Sequence, residues 1–192
     1  PGDKSISHRA IIIGALTKGV TTFNGFLCSD DCLATLDIFQ QLGVTIKRDG
    51  TTVIIDSPGV DGFTRPNAPL DVGNSGTGIR LITGVLSALP FDTQISGDAS
   101  IQQRPMGRII DPLTQMGAVI ESGDGTPPLT ILGGQSLNSI HYDMPIASAQ
   151  VKSSILLAGC AAGVSVSVTE PEQCRDHTER MLAGMGYSLS RD

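Results

Sequence analysis

Leu42-Gly43-Val44-Thr45-Ile46-Lys47 joins the end of one element to the start of another. The glycine suits the left-handed conformation that closes a helix, and the next four residues alternate apolar and polar as a half-buried strand does. The same junction returns at Met116-Gly117 and Met185-Gly186, each time followed by strand-forming residues. Working outward, a whole unit repeats about every 70 residues. The first unit reads as helix 7–17, short strand 21–24, helix 30–42 and strands 44–48 and 52–56. The second reads as helix 75–89, strand 91–96, helix 105–116 and strands 118–121 and 129–132. The third reads as helix 148–162, strand 164–169, helix 176–185 and strand 187–190. A basic residue falls in each first helix at Arg9, Arg80 and Lys152, spaced 71 and 72 residues apart.

These landmarks predict an α/β (α+β) fold made of three repeats, about 1–66, 67–134 and 135–192, packed as a single domain. Pro69-Leu-Asp-Val leads into the second repeat and Ile140-His-Tyr-Asp-Met into the third. The first lacks such a strand and the third lacks a closing one, so the expectation is one domain of a longer polypeptide.

Composition narrows the function classes. The 192 residues are 40% hydrophobic and 17% charged, a globular mix, and the net charge of −6 argues against a nucleic-acid partner. No apolar run approaches the roughly 20 residues that span a bilayer, and no secretory signal is visible. Cys28, Cys32, Cys160 and Cys174 form no CxxC pair and have no histidine at zinc-ligand spacing. Reduced thiols in a cytoplasmic protein, with no metal, are the expectation.

Polar residues gather where each first helix starts: Lys4-Ser-Ile-Ser-His-Arg9, Asn74-Ser-Gly-Thr-Gly-Ile-Arg80 and Ser148-Ala-Gln-Val-Lys152. Ser5 or Ser7 is the N-cap candidate of the first. Helix N-termini carry unpaired N–H groups and partial positive charge, so basic residues beside them make a site for phosphate or carboxylate. Three ordinary caps would explain the clusters too; their recurrence in register favours a shared site for a doubly anionic molecule met by Lys4, Arg9, Arg80 and Lys152. Gly76 and Gly78 fit close backbone approach. Gln103-Arg104-Pro105 places an arginine at the start of a helix, against the dipole preference, which points to a ligand; Cys174-Arg175-Asp176-His177 repeats the pattern. Asp30-Asp31 obeys that preference and reads as capping, and His8 and His177 read as surface or capping groups. The P-loop, GxGxxG, GxSxG and HExxH patterns are absent. The residues support anion binding and stop short of a reaction.

In combination, Pro1-Gly-Asp-Lys-Ser-Ile-Ser-His-Arg9, Gly73-Asn-Ser-Gly-Thr-Gly-Ile-Arg80, Gln103-Arg-Pro105, Ser148-Ala-Gln150 and Arg175-Asp-His-Thr-Glu179 resemble the 5-enolpyruvylshikimate-3-phosphate synthase family across the whole chain. The resemblance implies a two-domain enolpyruvyl transferase fold, each domain built of three βαβαββ units with helices inside and sheets outside. This chain would be the shikimate-3-phosphate-side domain, its partner domain lying outside it and the piece inactive alone. The implied reaction moves the enolpyruvyl group of phosphoenolpyruvate to the 5-hydroxyl of shikimate 3-phosphate and releases phosphate, in aromatic amino acid biosynthesis. Lys4 and Arg104 would be catalytic. Shikimate 3-phosphate would meet Lys4, Ser5, Arg9, Ser148, Ala149, Gln150 and Arg175. Phosphoenolpyruvate would meet Lys4, Asn74, Gly76, Arg104 and Gln150. No metal or organic cofactor is implied, nor any nucleic-acid or membrane partner, and a cytoplasmic monomer is expected.

Two departures stand out. Ala149 and Cys174-Arg175-Asp176-His177 follow one branch of the family, where others carry a second serine and Ser-Lys-Pro-Tyr. Leu81 replaces a proline common in the family while Gly76 is kept, which implies partial tolerance of the herbicide glyphosate. The competing readings are the related UDP-N-acetylglucosamine enolpyruvyl transferase and a non-catalytic anion-binding domain. The Lys4-Ser-Ile-Ser-His-Arg9 run, and the lack of any cysteine from 33 to 159, count against the first of these.

Overall fold

The computed structural model describes residues 2–190. Pro1, the first half of the Pro-Gly turn, lies outside the described residues. Helix α1 (Lys4–Leu16) shows why helices form the interior: after Arg9 it carries no charged residue, so no face favours water. Every residue from Ser7 to Leu16 is buried, and Ile11, Ile12 and Ile13 completely so. Full burial of each such side chain contributes roughly 1.5–3 kcal/mol.

Contacts divide the chain into two compact units, one holding residues up to Thr64 together with those from Asp176 on, the other running from Arg65 to Arg175. In the first unit α1 packs on α2 (Asp30–Gln41), α6 (His177–Gly184) and an antiparallel sheet. That sheet is formed by β1 (Gly19–Phe23), β2 (Thr45–Asp49) and β3 (Thr52–Ser57) in the order β1-β3-β2. Val53, Ile55 and Ser57 of β3 point inward while Ile54 and Asp56 face solvent, the alternation expected of a sheet covered on one side.

In the second unit β4 (Leu70–Asp71), β5 (Thr93–Ser96), β7 (Leu129–Leu132) and β6 (Val119–Glu121) form a sheet in that order, with β4 and β5 parallel and the other pairs antiparallel. A separate parallel pair joins β8 (Ile140–Asp143) to β9 (Val166–Thr169). Helix α3 (Gly76–Leu86) packs along α5 (Ala149–Ala162), which also touches α4 (Gly107–Gln115). Both α3 and α5 are buried over most of their length. The order β1-β3-β2 matches β5-β7-β6, and the parallel pair β8-β9 matches β4-β5, so the recurrence read from sequence reappears in strand pairing.

Gly43, Gly117 and Gly186 follow α2, α4 and α6 with φ of 93°, 108° and 89°, the left-handed region that the repeated junction required. Three expectations change. Helix α1 begins at Lys4, capped neither by Ser5 nor by Ser7: the Asp3 carboxylate accepts the Ile6 N–H at 2.8 Å. The second unit's α4 starts at Gly107, so Arg104 lies before it in extended backbone that closes a short 3-10 turn, Ile101–Gln103. Residues 187–190 are not a strand; the Tyr187 N–H instead bonds the Leu182 carbonyl at 3.0 Å and ends α6. No helix of the described residues is long and apolar enough to cross a membrane.

Candidate functional site

In the first unit the functional candidates occupy the opening turn of α1. Because Asp3 is the cap, Lys4 and Ser5 are the first two helical residues. The Lys4 ammonium pairs with the Asp31 carboxylate, which projects from the first turn of α2; Lys4 is 52% exposed and Asp31 18%. The Cys32 thiol donates to the Lys4 carbonyl at 3.8 Å, and burial raises that thiol's pKa. Asp31, read from sequence as a capping residue, thus also holds the lysine head.

Arg9 is 4% exposed. Its Nε donates to Thr178 Oγ1 at 2.6 Å and its Nη1 to the Ser5 carbonyl at 2.9 Å, so α6 and the start of α1 fix its guanidinium. His8 is not a surface group. It is completely buried, shares a 2.8 Å hydrogen bond between Nδ1 and Thr35 Oγ1, and has its pKa lowered to about 4, chiefly by burial. It is therefore neutral near pH 7. Ser7 binds α1 to its surroundings: its Oγ donates to the Asp3 carbonyl and accepts the Leu27 N–H.

In the second unit two helix starts converge. Ser75 caps α3, its Oγ accepting the Gly78 N–H at 2.9 Å, and Ser148 caps α5, accepting the Val151 N–H at 3.3 Å. Gln150 Nε2 donates to Thr77 Oγ1 at 3.0 Å and ties the first turn of α5 to that of α3. Ala149 and Gln150 are half-buried beside these caps. Over the start of α3 lie two guanidinium groups. A Cβ at Gly76 would stand 2.6 Å from Arg104 Nη1 and 3.2 Å from Arg80 Nη1, so only glycine leaves both where they are. Arg80 donates to the Gly76 carbonyl at 2.8 Å and to the Pro105 carbonyl at 3.3 Å. Its pKa is lowered by burial and then by the charges of Arg104 and Arg108. Among the described residues no carboxylate lies within ion-pairing distance of these three arginines. Asn74 donates to Asp98 Oδ2 at 2.6 Å; this bond, with the Ile101 and Ser100 N–H groups and the charge of Arg104, holds the Asp98 carboxyl below the usual range.

The fourth basic residue of the expected site behaves otherwise. Lys152 is buried and its Nζ donates to Glu170 Oε1 at 2.5 Å, so its charge is answered within the chain and it does not await an anion. Arg175 is exposed and precedes α6. Neighbouring residues that spacing did not reveal are Thr77, Asp98, Thr178 and Glu170. Thr178 sat inside a quoted motif without a role, and nothing in the spacing marked Glu170. Chemically, the second unit offers positive charge in excess at a helix start, the setting that binds phosphate and carboxylate. The first offers a lysine ammonium beside a carboxylate.

The model of the EPSP synthase (3-phosphoshikimate 1-carboxyvinyltransferase) family matches residues 1–192. A 3-phosphoshikimate 1-carboxyvinyltransferase of Ruthia magnifica is 56% identical over 189 residues, covering 98% of this chain and 43% of that protein. The same-named protein of Alkalilimnicola ehrlichii is 56% identical over 196 residues, covering 100% of this chain and 44% of its own length. The 2.37 Å structure of EPSP synthase from Acinetobacter baumannii superposes with a TM-score of 0.96 at 52% identity, covering all of this chain and 44% of that one. The chain thus spans somewhat under half the length of the relatives it matches. It belongs to the EPSP synthase family.

Proposed function

We propose that this chain is the shikimate-3-phosphate-side half of a carboxyvinyltransferase that moves the enolpyruvyl group of phosphoenolpyruvate onto the 5-hydroxyl of shikimate 3-phosphate. The observation that carries the proposal is the Arg80–Arg104 pair over the α3 start, positive charge that no carboxylate of the described residues meets at ion-pairing distance, although Arg104 also acts on Asp98 from farther off. Arg104, with Asn74, Gly76 and Gln150, takes the anionic groups of phosphoenolpyruvate. Ser148, Ala149, Gln150 and Arg175 take shikimate 3-phosphate in the second unit, and Lys4, Ser5 and Arg9 do so in the first. The pinned guanidinium of Arg9 suits this role, since it offers a charge whose orientation is already fixed.

In the reaction the 5-hydroxyl gives up its proton as its oxygen bonds to C2 of phosphoenolpyruvate, while C3 gains a proton. The tetrahedral intermediate then loses a proton from C3 as the C2–O bond to phosphate breaks. Lys4, paired with Asp31, shuttles the proton, and Arg104 stabilises charge on the departing phosphate. The reaction needs neither metal nor organic cofactor, and the protein works as a cytoplasmic monomer of two domains. The half in hand comprises three repeats, about 1–66, 67–134 and 135–192.

The test is to titrate the isolated chain with shikimate 3-phosphate in phosphate-free buffer. Its melting temperature should rise, with no phosphate released from phosphoenolpyruvate until the separately produced remainder of the protein is mixed in. No rise at high ligand concentration sinks the proposal. Leu81 is fully buried in α3, so partial glyphosate tolerance acts through the helix that carries Gly76 and Arg80. Inhibition of the full enzyme no weaker than that of a Leu81→Pro variant removes that part.

A further inference from the structure

We infer that Glu170 is a positioning residue for substrate binding, bridging the first turn of α5 to the loop that presents Arg175; this rests on the substrate role proposed for Arg175. Its two oxygens serve different segments. Oε1 accepts from Lys152 Nζ at 2.5 Å, and Oε2 accepts the Cys174 N–H at 2.8 Å. Lys152 stands two residues after Gln150 and four after Ser148, and Cys174 directly precedes Arg175. One carboxylate therefore fixes the distance between the two segments that grip the same ligand. Residues 171–173 are exposed and without regular structure, and Glu170 holds the loop at both of its ends, through its own position and through the Cys174 N–H. The lysine side of the bridge is firm, with the Lys152 side chain 4% exposed and Glu170 19%. Burial pushes the Glu170 carboxyl up, yet the hydrogen bonds from Lys152 and Cys174 hold it below the usual glutamate range, so the bridge stays charged at neutral pH. A loop held in place before the ligand arrives loses less freedom on binding.

The experiment uses the full-length enzyme. Glu170→Gln keeps the side chain's size but leaves one carbonyl oxygen for two donors, so one arm of the bridge is lost. The KM for shikimate 3-phosphate should rise about tenfold while that for phosphoenolpyruvate stays within about twofold. A pair that served only the fold could lower the melting temperature but would not raise the KM for shikimate 3-phosphate selectively. The Lys152→Met/Glu170→Leu double variant removes both paired charges at once and guards against misfolding: it should melt within about 5 °C of the parent and still show the raised KM. Arg175→Ala should weaken shikimate 3-phosphate about tenfold in the parent but no more than about twofold in the Glu170→Gln background. A parental KM in Glu170→Gln, or equal effects of Arg175→Ala in both backgrounds, overturns the inference and leaves the proposed function standing. An Arg175→Ala enzyme that binds shikimate 3-phosphate like the parent removes both.

Discussion

Arg80 and Lys152 lie in the opening turns of α3 and α5 within the same unit, 72 residues apart, and their electrostatic surroundings are opposite. Lys152 is buried against a carboxylate at 2.5 Å. Arg80 bonds only backbone carbonyls in the contacts described above, and its nearest charges are two further arginines. Arg80 and Arg104 both come within 3.2 Å of the point where a Gly76 side chain would begin. Two like charges about 6 Å apart near a protein surface repel by roughly 3 kcal/mol. On the proposed function, an arrangement that costs this much and meets no carboxylate at ion-pairing distance is the one that takes an anion. One that is neutralised internally is scaffold.

The comparison breaks most easily at Arg104. In the full enzyme Arg104→Ala should lower kcat/KM for phosphoenolpyruvate about 1,000-fold, since a charge-assisted contact to the reacting group is lost, while melting temperature holds or rises as the repulsion disappears. Lys152→Met should do the reverse. Leaving Glu170 without its buried partner should cost about 3 kcal/mol, or roughly 6–12 °C of melting temperature, with less than a tenfold loss in kcat/KM for phosphoenolpyruvate. If the two variants exchange these signatures, the division into binding charge and scaffold charge is wrong.

His8 sharpens the contrast from the first unit, because it is buried without a charge at all. Its pKa falls from 6.5 to about 4, chiefly by burial, so between those values the unfolded chain binds the extra proton and stability drops as pH falls. Between pH 6.5 and about 5, above the ordinary midpoints of the carboxylates, urea unfolding should show a loss of about 1.5 kcal/mol. A His8→Gln variant should flatten that slope. An unchanged slope would locate the acid sensitivity elsewhere.

The element order was legible because it depends on local patterns: glycine after each second helix, alternation in Val44-Thr-Ile-Lys, and apolar runs long enough for buried helices. The pairing of strands was not read from the sequence and appears only in the structure. What could not be read depends on partners distant in sequence. Asp31 and Lys4 lie 27 residues apart, Glu170 and Lys152 lie 18, and Thr178 and Arg9 lie 169. Asp3, Ser5 and Ser7 were chemically equal as caps, and only the helix itself selects one. Arg104 was different, because a signal was present: the residue before a proline avoids the helical region, and Pro105 keeps Arg104 extended. The alternation at 187–190 resembled a strand, but a strand exists only where another offers it a ladder.

The smallest expected effect tests the comparison at its closest point. Gly76→Ala places a methyl 2.6 Å from Arg104 Nη1, too near for any real contact, yet the obstructing atom is the end of a flexible side chain and not backbone. The fold can therefore yield by moving that guanidinium, and melting temperature should stay within about 2 °C. Binding cannot yield so cheaply, because the displaced head is the one assigned to phosphoenolpyruvate. Its KM should rise about tenfold, equivalent to about 1.4 kcal/mol, with the KM for shikimate 3-phosphate nearly unchanged. The same substitution at Gly163, where nothing lies within 4 Å but φ is 67°, should cost stability and leave both KM values alone. If Gly76→Ala instead behaves like Gly163→Ala, the glycine serves the helix and not the arginines.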